Sequence, residues 1–420
     1  MGHLVGKDLY RSLGKKIDSL TARAPWNDKL YAILKELYTP DEAELIVKMP
    51  YGLSTLERIE ESVPFDRARL EHLLEGLCEK GLLLDVWAKG KYHYVISPLI
   101  VGIFEFTMMR TRGELNTKEW ARLFHAYLQD SAVFYRANCG KGQTISPLRT
   151  LPHEEALDDS AHVEILDYEK AGSIIESARK LAIGICSCRH EKLHLGEKRC
   201  DIPLETCSSF DGAAETLIRH GMAKEVSREE MRDNLASSKE KGLVLCADNV
   251  RNDVSFICHC CGCCCNVLLG VSRFGYPNVV VTSNYIARID TDECLKCGTC
   301  VDACPVNAIN EGENHDCPKV NESICLGCGV CALRCQSDSL KLVRRDQRVY
   351  YPEDTFERVI LQSLDQCTLQ NLLFNDPSKI SHTFLRGFVG GFLKLPPIKR
   401  ALLGDRFRSR FLTTLRRSAS

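Results

Sequence analysis

The sequence predicts an α+β chain of several domains: a helical N-terminal domain with a small hairpin, a cysteine-rich α/β middle domain, and a compact cysteine-ladder domain before a basic tail. Three observations carry this. Apolar residues recur at helical spacing early in the chain and then give way to two short strand-like runs. The 23 cysteines in 420 residues are clustered rather than scattered. Two of the clusters are ladders related by a period of 31 residues.

A chain of this length has material for about two to four domains. Apolar content of 44% and charged content of 26% are those of an ordinary globular protein, and a net charge of −1 exerts no global pull on nucleic acid or membrane. Clustered cysteines in a long chain point to metal rather than to a disulfide framework. The start, Met-Gly-His-Leu-Val-Gly-Lys-Asp, lacks the apolar core of a secretory signal. The best apolar run, Pro98 to Met109, is too short to span a bilayer and contains Glu105. These features lead us to expect a cytoplasmic, reducing and oxygen-poor setting, where thiolates stay available as ligands.

Residues 1–115 form the first expected domain. Leu70, Leu73, Leu74 and Leu77 fall on one helix face, and Gly81 is a stop signal. Leu82 to Ala88 and Tyr92 to Ile96 then read as strands around Lys89-Gly90-Lys91. Helices followed by such a hairpin resemble a winged helix, which implies DNA binding or a packing module. Glu71, Glu75 and Glu79 stand beside Arg67, Arg69 and Lys80, so the reading helix has no basic face and DNA is disfavoured. Residues 116–165, with Pro147, Pro152 and Asp158-Asp159, read as a helix and a linker.

The cysteine-rich redox domain is expected over 166–285. Ile174, Ile175, Ala178 and Leu181 predict a helix from Tyr168 to Leu181, and Ser227 with Glu230 forms a capping box for another. The domain holds Cys186, Cys188, Cys200 and Cys207, then Cys258, Cys260, Cys261, Cys263, Cys264 and Cys265. In an extended segment Cys263 and Cys265 face one way and Cys264 the other. Ten thiols therefore suit one larger cluster, two neighbouring sites, or a cluster with a spare thiol. Zinc and redox-active thiols stay open beside them. Arg189 and His190 are placed to donate hydrogen bonds to cluster sulfur, or else form a surface pair that caps a loop. Cys78, Cys139, Cys246 and Cys367 stand isolated, with Cys78 reading as a buried apolar residue.

Residues 286–345 hold the ladders, Cys294-x2-Cys297-x2-Cys300-x3-Cys304-Pro305 and Cys325-x2-Cys328-x2-Cys331-x3-Cys335. Each is the run that binds a [4Fe–4S] cubane, and its double occurrence favours iron–sulfur over two zinc sites. Gly298 and Gly329 sit where backbone must come close to a cluster. The segment resembles the bacterial-type dicluster ferredoxin domain. That resemblance implies that the fourth cysteine of each run crosses over, giving Cys294, Cys297, Cys300 and Cys335 to one cluster and Cys325, Cys328, Cys331 and Cys304 to the other. Gln336 replaces the usual proline, and Cys317 reads as free. Nine acids against four bases over 290–341 predict a low potential.

Cys-x-Cys-Arg at Cys186, the Cys200 to Cys207 segment and the Cys260 to Cys265 run, taken with the ladders, resemble a family of uncharacterised 4Fe–4S-binding proteins of anaerobic bacteria and archaea. His259 stands where asparagine is more usual. Cys260-Cys261-Gly262 is also similar to the Cys-Cys-Gly domain of heterodisulfide-reductase-type subunits. The resemblances imply two [4Fe–4S] clusters, at least one further iron–sulfur cluster and electron transfer to a redox partner protein. The competing reading is a reductase, with the third centre acting on a small substrate or disulfide. A redox-sensing regulator is the weakest reading.

Residues 346–420 are expected to be an extension. From Arg386 onward nine Lys/Arg face one acid, Asp405. Arg406, Arg408, Arg410, Arg416 and Arg417 interleave with Phe407, Phe411, Leu412 and Leu415, after Phe384, Phe388 and Phe392. The pattern reads as a peripheral segment at the inner membrane face, a docking peptide for an acidic partner, or a tail that folds on its own acidic ferredoxin domain or stays disordered.

Overall fold

The computed structural model describes residues 2–113, 115–140, 145–312 and 316–419. Helices and strands are mixed, as the α+β expectation requires. The chain forms two compact units: Met1–Asn138 with Thr355–Ser420, and Cys139–Asp354.

In the first unit the helices Gly2–Asp18, Asp28–Leu37, Pro40–Lys48, Leu56–Glu60 and Arg67–Glu79 alternate with β1 (Ser54–Thr55) and lead into β2 (Leu83–Ala88) and β3 (Lys91–Ile96). Sequence sets their starts. Thr39 and Glu42 form a reciprocal capping box with Pro40 at the first turn, and Asn27 and Asp66 cap their own helices. The Arg67–Glu79 helix buries Leu70, Leu74, Leu77 and Cys78. Lys89 and Gly90 both take positive φ, 52° and 78°, the geometry of a two-residue hairpin turn. Strand β1 pairs with β3, giving the order β1-β3-β2. The bases beside the hairpin are neutralised locally. Arg67 lies 3.1 Å from Glu60 and 3.2 Å from Glu71, Arg69 pairs with Asp41, and Lys80 reaches Glu42 at 2.8 Å.

The C-terminal helices Thr355–Asp365, Leu369–Leu373, Ile380–Leu393, Pro396–Leu403 and Asp405–Ala419 belong to this same unit, not to a separate extension. The Asn371 amide donates to the Ser19 carbonyl at 3.0 Å, and the Tyr51 N–H to the Asn375 carbonyl at 2.9 Å. The side chains of Asp405 and Arg406, part of the basic-tail reading, lie outside the described residues.

The second unit is built on a six-stranded sheet of β4 (Leu148–Leu151), β5 (Leu181–Ile185), β6 (Glu205–Phe210), β7 (Ala223–Glu225), β8 (Val244–Asp248) and β9 (Phe256–Cys260). Its order is β4-β8-β9-β6-β5-β7 and every pairing is antiparallel. The α/β expectation for this region is therefore corrected to α+β. Residues 249–255 are too few for the crossover that parallel pairing of β8 with β9 needs. The helix expected from Tyr168 to Leu181 is shorter, Ala171–Ser177, because Leu181 opens the buried strand β5. Strand β4 lies in the stretch expected as linker, so the middle unit begins well before residue 166. Ser227 and Glu230 form both halves of the capping box on Arg228–Glu240. Leu151, Ile174, Ile175, Phe210, Met231, Leu245 and Ile257 form the core under the sheet.

The ladder segment belongs to this unit too. Strand β10 (Tyr285–Ile289) pairs antiparallel with the last strand, β13 (Leu340–Arg344), across the segment that contains both ladders. Between them β11 (Ile309–Asn310) pairs with β12 (Lys319–Val320), and the short helices Thr299–Ala303 and Val330–Leu333 follow the ladder loops.

Candidate metal centres

The 31-residue repeat of the sequence is also a backbone repeat. Lys296 and Gly327 share positive φ (55° and 68°), as do Gly298 and Gly329 (75° and 86°) and Asn307 and Asp338 (55° and 57°). Gly298 and Gly329 are the residues from which the two short helices start. The left-handed turns curl each x2-x2 loop so that its thiols converge. The Cys300 thiol lies in the field of Cys294, Cys335 and Cys297. Cys331 lies in that of Cys328, Cys325 and Cys304. The chain thus brings the two crossed sets together. Backbone N–H groups reach their sulfurs, from Lys296 to Cys294 at 3.4 Å and from Ala308 to Cys304 at 3.1 Å. Cys304, Cys325, Cys328 and Cys331 line one cavity with Pro305, Leu326 and Leu342. Four convergent thiols around a cavity, with N–H donors, form the donor set that a cubane requires.

The two sets differ in exposure. Cys297 is exposed and its three companions are half-buried, whereas Cys325, Cys328 and Cys331 are buried. Leu295 of the first loop is 66% exposed and its repeat partner Leu326 is 1% exposed. Burial pushes the Cys328 thiol up to about 12, while the Thr299 hydroxyl draws Cys297 down. Ser339 and Ser337 lower Cys335 against its own partial burial.

The second loop is also tied to the sheet. The Ser283 hydroxyl donates to the Gly327 carbonyl at 2.7 Å, and the His153 N–H to the Cys328 carbonyl at 3.0 Å. The His153 ring meets the Leu243 carbonyl at 2.8 Å, and Arg345 holds the Cys325 carbonyl at 2.7 Å. Burial draws the His153 ring down, which favours its neutral form.

The ten upstream thiols do not form one group. Cys200, Cys261, Cys263 and Cys264 have their sulfurs within 4.8 Å of one another. The rest follow a different route: Cys188 contacts Cys265, Cys260 contacts Cys265 and Cys258, and Cys258 contacts Cys207 and lies in the field of Cys186. The alternation expected of an extended run fails because residues 261–265 turn. The Cys265 N–H bonds to the Cys261 carbonyl at 3.1 Å, and Cys265 starts the helix Asn266–Ser272. Cys263 and Cys264 therefore converge while Cys265 departs.

Cys246, read as isolated, joins this second array. It sits on β8 opposite Cys258 on β9 and contacts Cys260. It also lies in the field of Cys328, which brings the buried ladder up to the middle-unit thiols. The pairing of the two strands was the missing signal, since no local spacing links residue 246 to residue 258. Glu191 was missed as well. It is fully buried, accepts from Asn266 at 2.7 Å, and acts on the Cys188 thiol.

Arg189 is 1% exposed, so its reading as a surface pair is excluded. It donates to the Pro203 carbonyl at 2.9 Å, to Thr206 and to the His259 carbonyl, and reaches the Cys261 thiol while facing Cys186 and Cys260. One cation thus stands between the two thiol groups. His190 turns instead to His194, with ring nitrogens 2.9 Å apart. His259 is buried on β9, bonded to Ser208 at 2.8 Å, and burial pushes it down to about 3, so it stays neutral. Cys317, expected free, is buried beside Cys294 with its sulfur 3.5 Å from the Thr291 carbonyl.

Comparison with known proteins agrees with the first ladder. The family model of a 4Fe-4S binding domain matches residues 287–310. A ferredoxin of Butyribacterium methylotrophicum is 58% identical over 26 residues, 6% of this chain and 47% of that protein. The chain thus covers about half the length of the curated relative it matches. No solved structure matches. Residues 287–310 thus match a 4Fe–4S binding domain, which supports at least one [4Fe–4S] cluster.

Proposed function

We propose that this is an electron-transfer protein of the anaerobic 4Fe–4S-binding type, with two [4Fe–4S] clusters serving a further cysteine-ligated centre in the same unit. Cys294, Cys297, Cys300 and Cys335 hold one cluster, and Cys304, Cys325, Cys328 and Cys331 the other. Each cluster supplies one-electron storage at low potential. The observation that carries the reading is the asymmetry of the ladders. One thiol set has an exposed member, Cys297, with three half-buried companions, whereas three of the other four thiols are buried and one of these, Cys328, faces Cys246. The exposed loop around Leu295, rimmed by Asp290, Asp292 and Glu293, is the docking face for a redox partner of basic surface. EPR of the reduced protein with a soluble dysprosium chelate tests the asymmetry, because the chelate broadens only the exposed cluster.

The helix Ile380–Leu393 supports a peripheral membrane contact. Ile380, Phe384, Phe388 and Phe392 recur every fourth residue and are 53–88% exposed, with Lys394 and Arg400 nearby. Such a face suits the interfacial zone of an anionic bilayer. No helix among the described residues is long and apolar enough to cross a membrane. Full-length protein is expected to pellet with anionic vesicles, and a Phe384→Ser, Phe388→Ser variant to remain largely in the supernatant. Equal pelleting of the two proteins contradicts the contact. The pairing of Arg67, Arg69 and Lys80 with acids disfavours DNA as a partner of this helix.

A further inference from the structure

The sequence leaves the ten upstream cysteines open to one larger cluster, two neighbouring sites or a cluster with a spare thiol, and four of them have a geometry of their own. Cys200 Sγ lies 3.8 Å from Cys261 Sγ and 3.9 Å from Cys264 Sγ. Cys263 Sγ lies 3.7 Å from Cys261 Sγ and 3.5 Å from Cys264 Sγ. Four sulfurs bound to one tetrahedral ion at about 2.3 Å stand about 3.8 Å apart along each edge. A cubane places each thiolate on a different iron, so its thiolate sulfurs lie further apart than this. The molecule contains its own comparison: neither ladder set draws even three sulfurs within 4.8 Å of one another among the described residues, whereas this group draws four.

We propose that Cys200, Cys261, Cys263 and Cys264 bind a single tetrahedral ion, zinc(II) or iron(II), separate from the array of Cys186, Cys188, Cys207, Cys258, Cys260 and Cys265. The four-thiolate set is complete, so the site is closed to substrate. Ile202 and Leu243 pack against Cys261 and Cys264 and shield them. Arg189, reaching Cys261, and Lys198, bonded to the Cys200 carbonyl, offset the net negative charge of four thiolates on a divalent ion. The chain also explains why an ion belongs there. Cys200 comes from the loop between the helix Ser187–His194 and β6, and the other three from the turn after β9. One ion cross-links the two loops. Gly262, inside that turn, lies so close to Pro305 that an added Cβ would stand 2.8 Å from its carbonyl oxygen. The cross-link therefore braces the backbone that follows Cys304 in the first ladder.

The inference is independent of the direction of electron flow and has its own readout. Full-length protein purified without oxygen is analysed for zinc, iron and acid-labile sulfide, and by X-ray absorption at the zinc and iron edges. One zinc per chain with four sulfur neighbours at about 2.3 Å, or one iron in excess of sulfide, supports the proposal. A Cys263→Ser variant is expected to lose that one ion while both ladder-cluster EPR signals persist. Absence of any such ion in the native protein overturns the proposal, as does a Cys263→Ser variant that loses iron and sulfide in equal amounts. The native-protein spectrum decides the matter even where the variant does not fold.

Discussion

Replacing Cys328 with serine is expected to remove one [4Fe–4S] cluster and with it about four irons and four sulfides per chain. The thiol is buried and burial pushes it up to about 12. It is therefore a thiolate only when iron compensates the charge. The loss extends beyond the cluster. The Cys328 carbonyl accepts from the His153 N–H, and the His153 ring in turn bonds to the carbonyl of Leu243, the residue before β8. Collapse of the loop should thus lower the thermal midpoint of the Cys139–Asp354 unit. Cys297→Ser, at the exposed set, is expected to cost the other cluster with a much smaller change in stability. Iron and sulfide analysis with thermal unfolding under argon checks both variants. Retention of both cluster signals in Cys328→Ser contradicts the ligand assignment.

Gly327→Ala is expected to be nearly as damaging, and Lys296→Ala, at the equivalent place in the repeat, close to neutral. Both positions have positive φ, 68° and 55°, so the turn itself tolerates a side chain in the first ladder. The difference is space. A Cβ on Gly327 would lie 2.1 Å from the Tyr285 carbonyl oxygen and 2.3 Å from the Ser283 hydroxyl. Backbone atoms cannot withdraw from such a contact without moving the loop that carries Cys325 and Cys328. The expected penalty is several kcal/mol, in the class of overpacking combined with left-handed strain, about 1–3 kcal/mol for each. Iron content and the unfolding midpoint of the two variants measure it. Equal behaviour of Gly327→Ala and Lys296→Ala contradicts the close-packing argument.

The contrast between Lys296 and Gly327 also shows what was legible in the sequence. The ladder spacing specifies chemistry locally, so eight ligand candidates were readable from the residues, while their crossed grouping came only with the resemblance to dicluster ferredoxins. Caps were equally local, as Ser227 with Glu230 and the Lys89-Gly90 turn show. What escaped depended on pairing across the chain. Cys246 becomes part of the thiol array only because β8 lies antiparallel to β9. The split of the ten cysteines arises because Cys265 starts a helix rather than extending a strand. Leu181 belongs to a helical pattern and to a short apolar run alike, and the sheet decides in favour of the strand. The unequal exposure of Leu295 and Leu326 is invisible in the repeat, where the same residue stands at both positions.

That inequality carries the functional account, and EPR of the reduced protein with a soluble dysprosium chelate examines it most directly. The account predicts two cubane signals of unequal accessibility. The chelate broadens one, and Cys297→Ser removes that same signal. The other stays sharp and is the one lost in Cys328→Ser. Equal broadening of both signals, or protection of the one that depends on Cys297, would contradict an exposed entry cluster backed by a buried cluster against the middle-unit thiols.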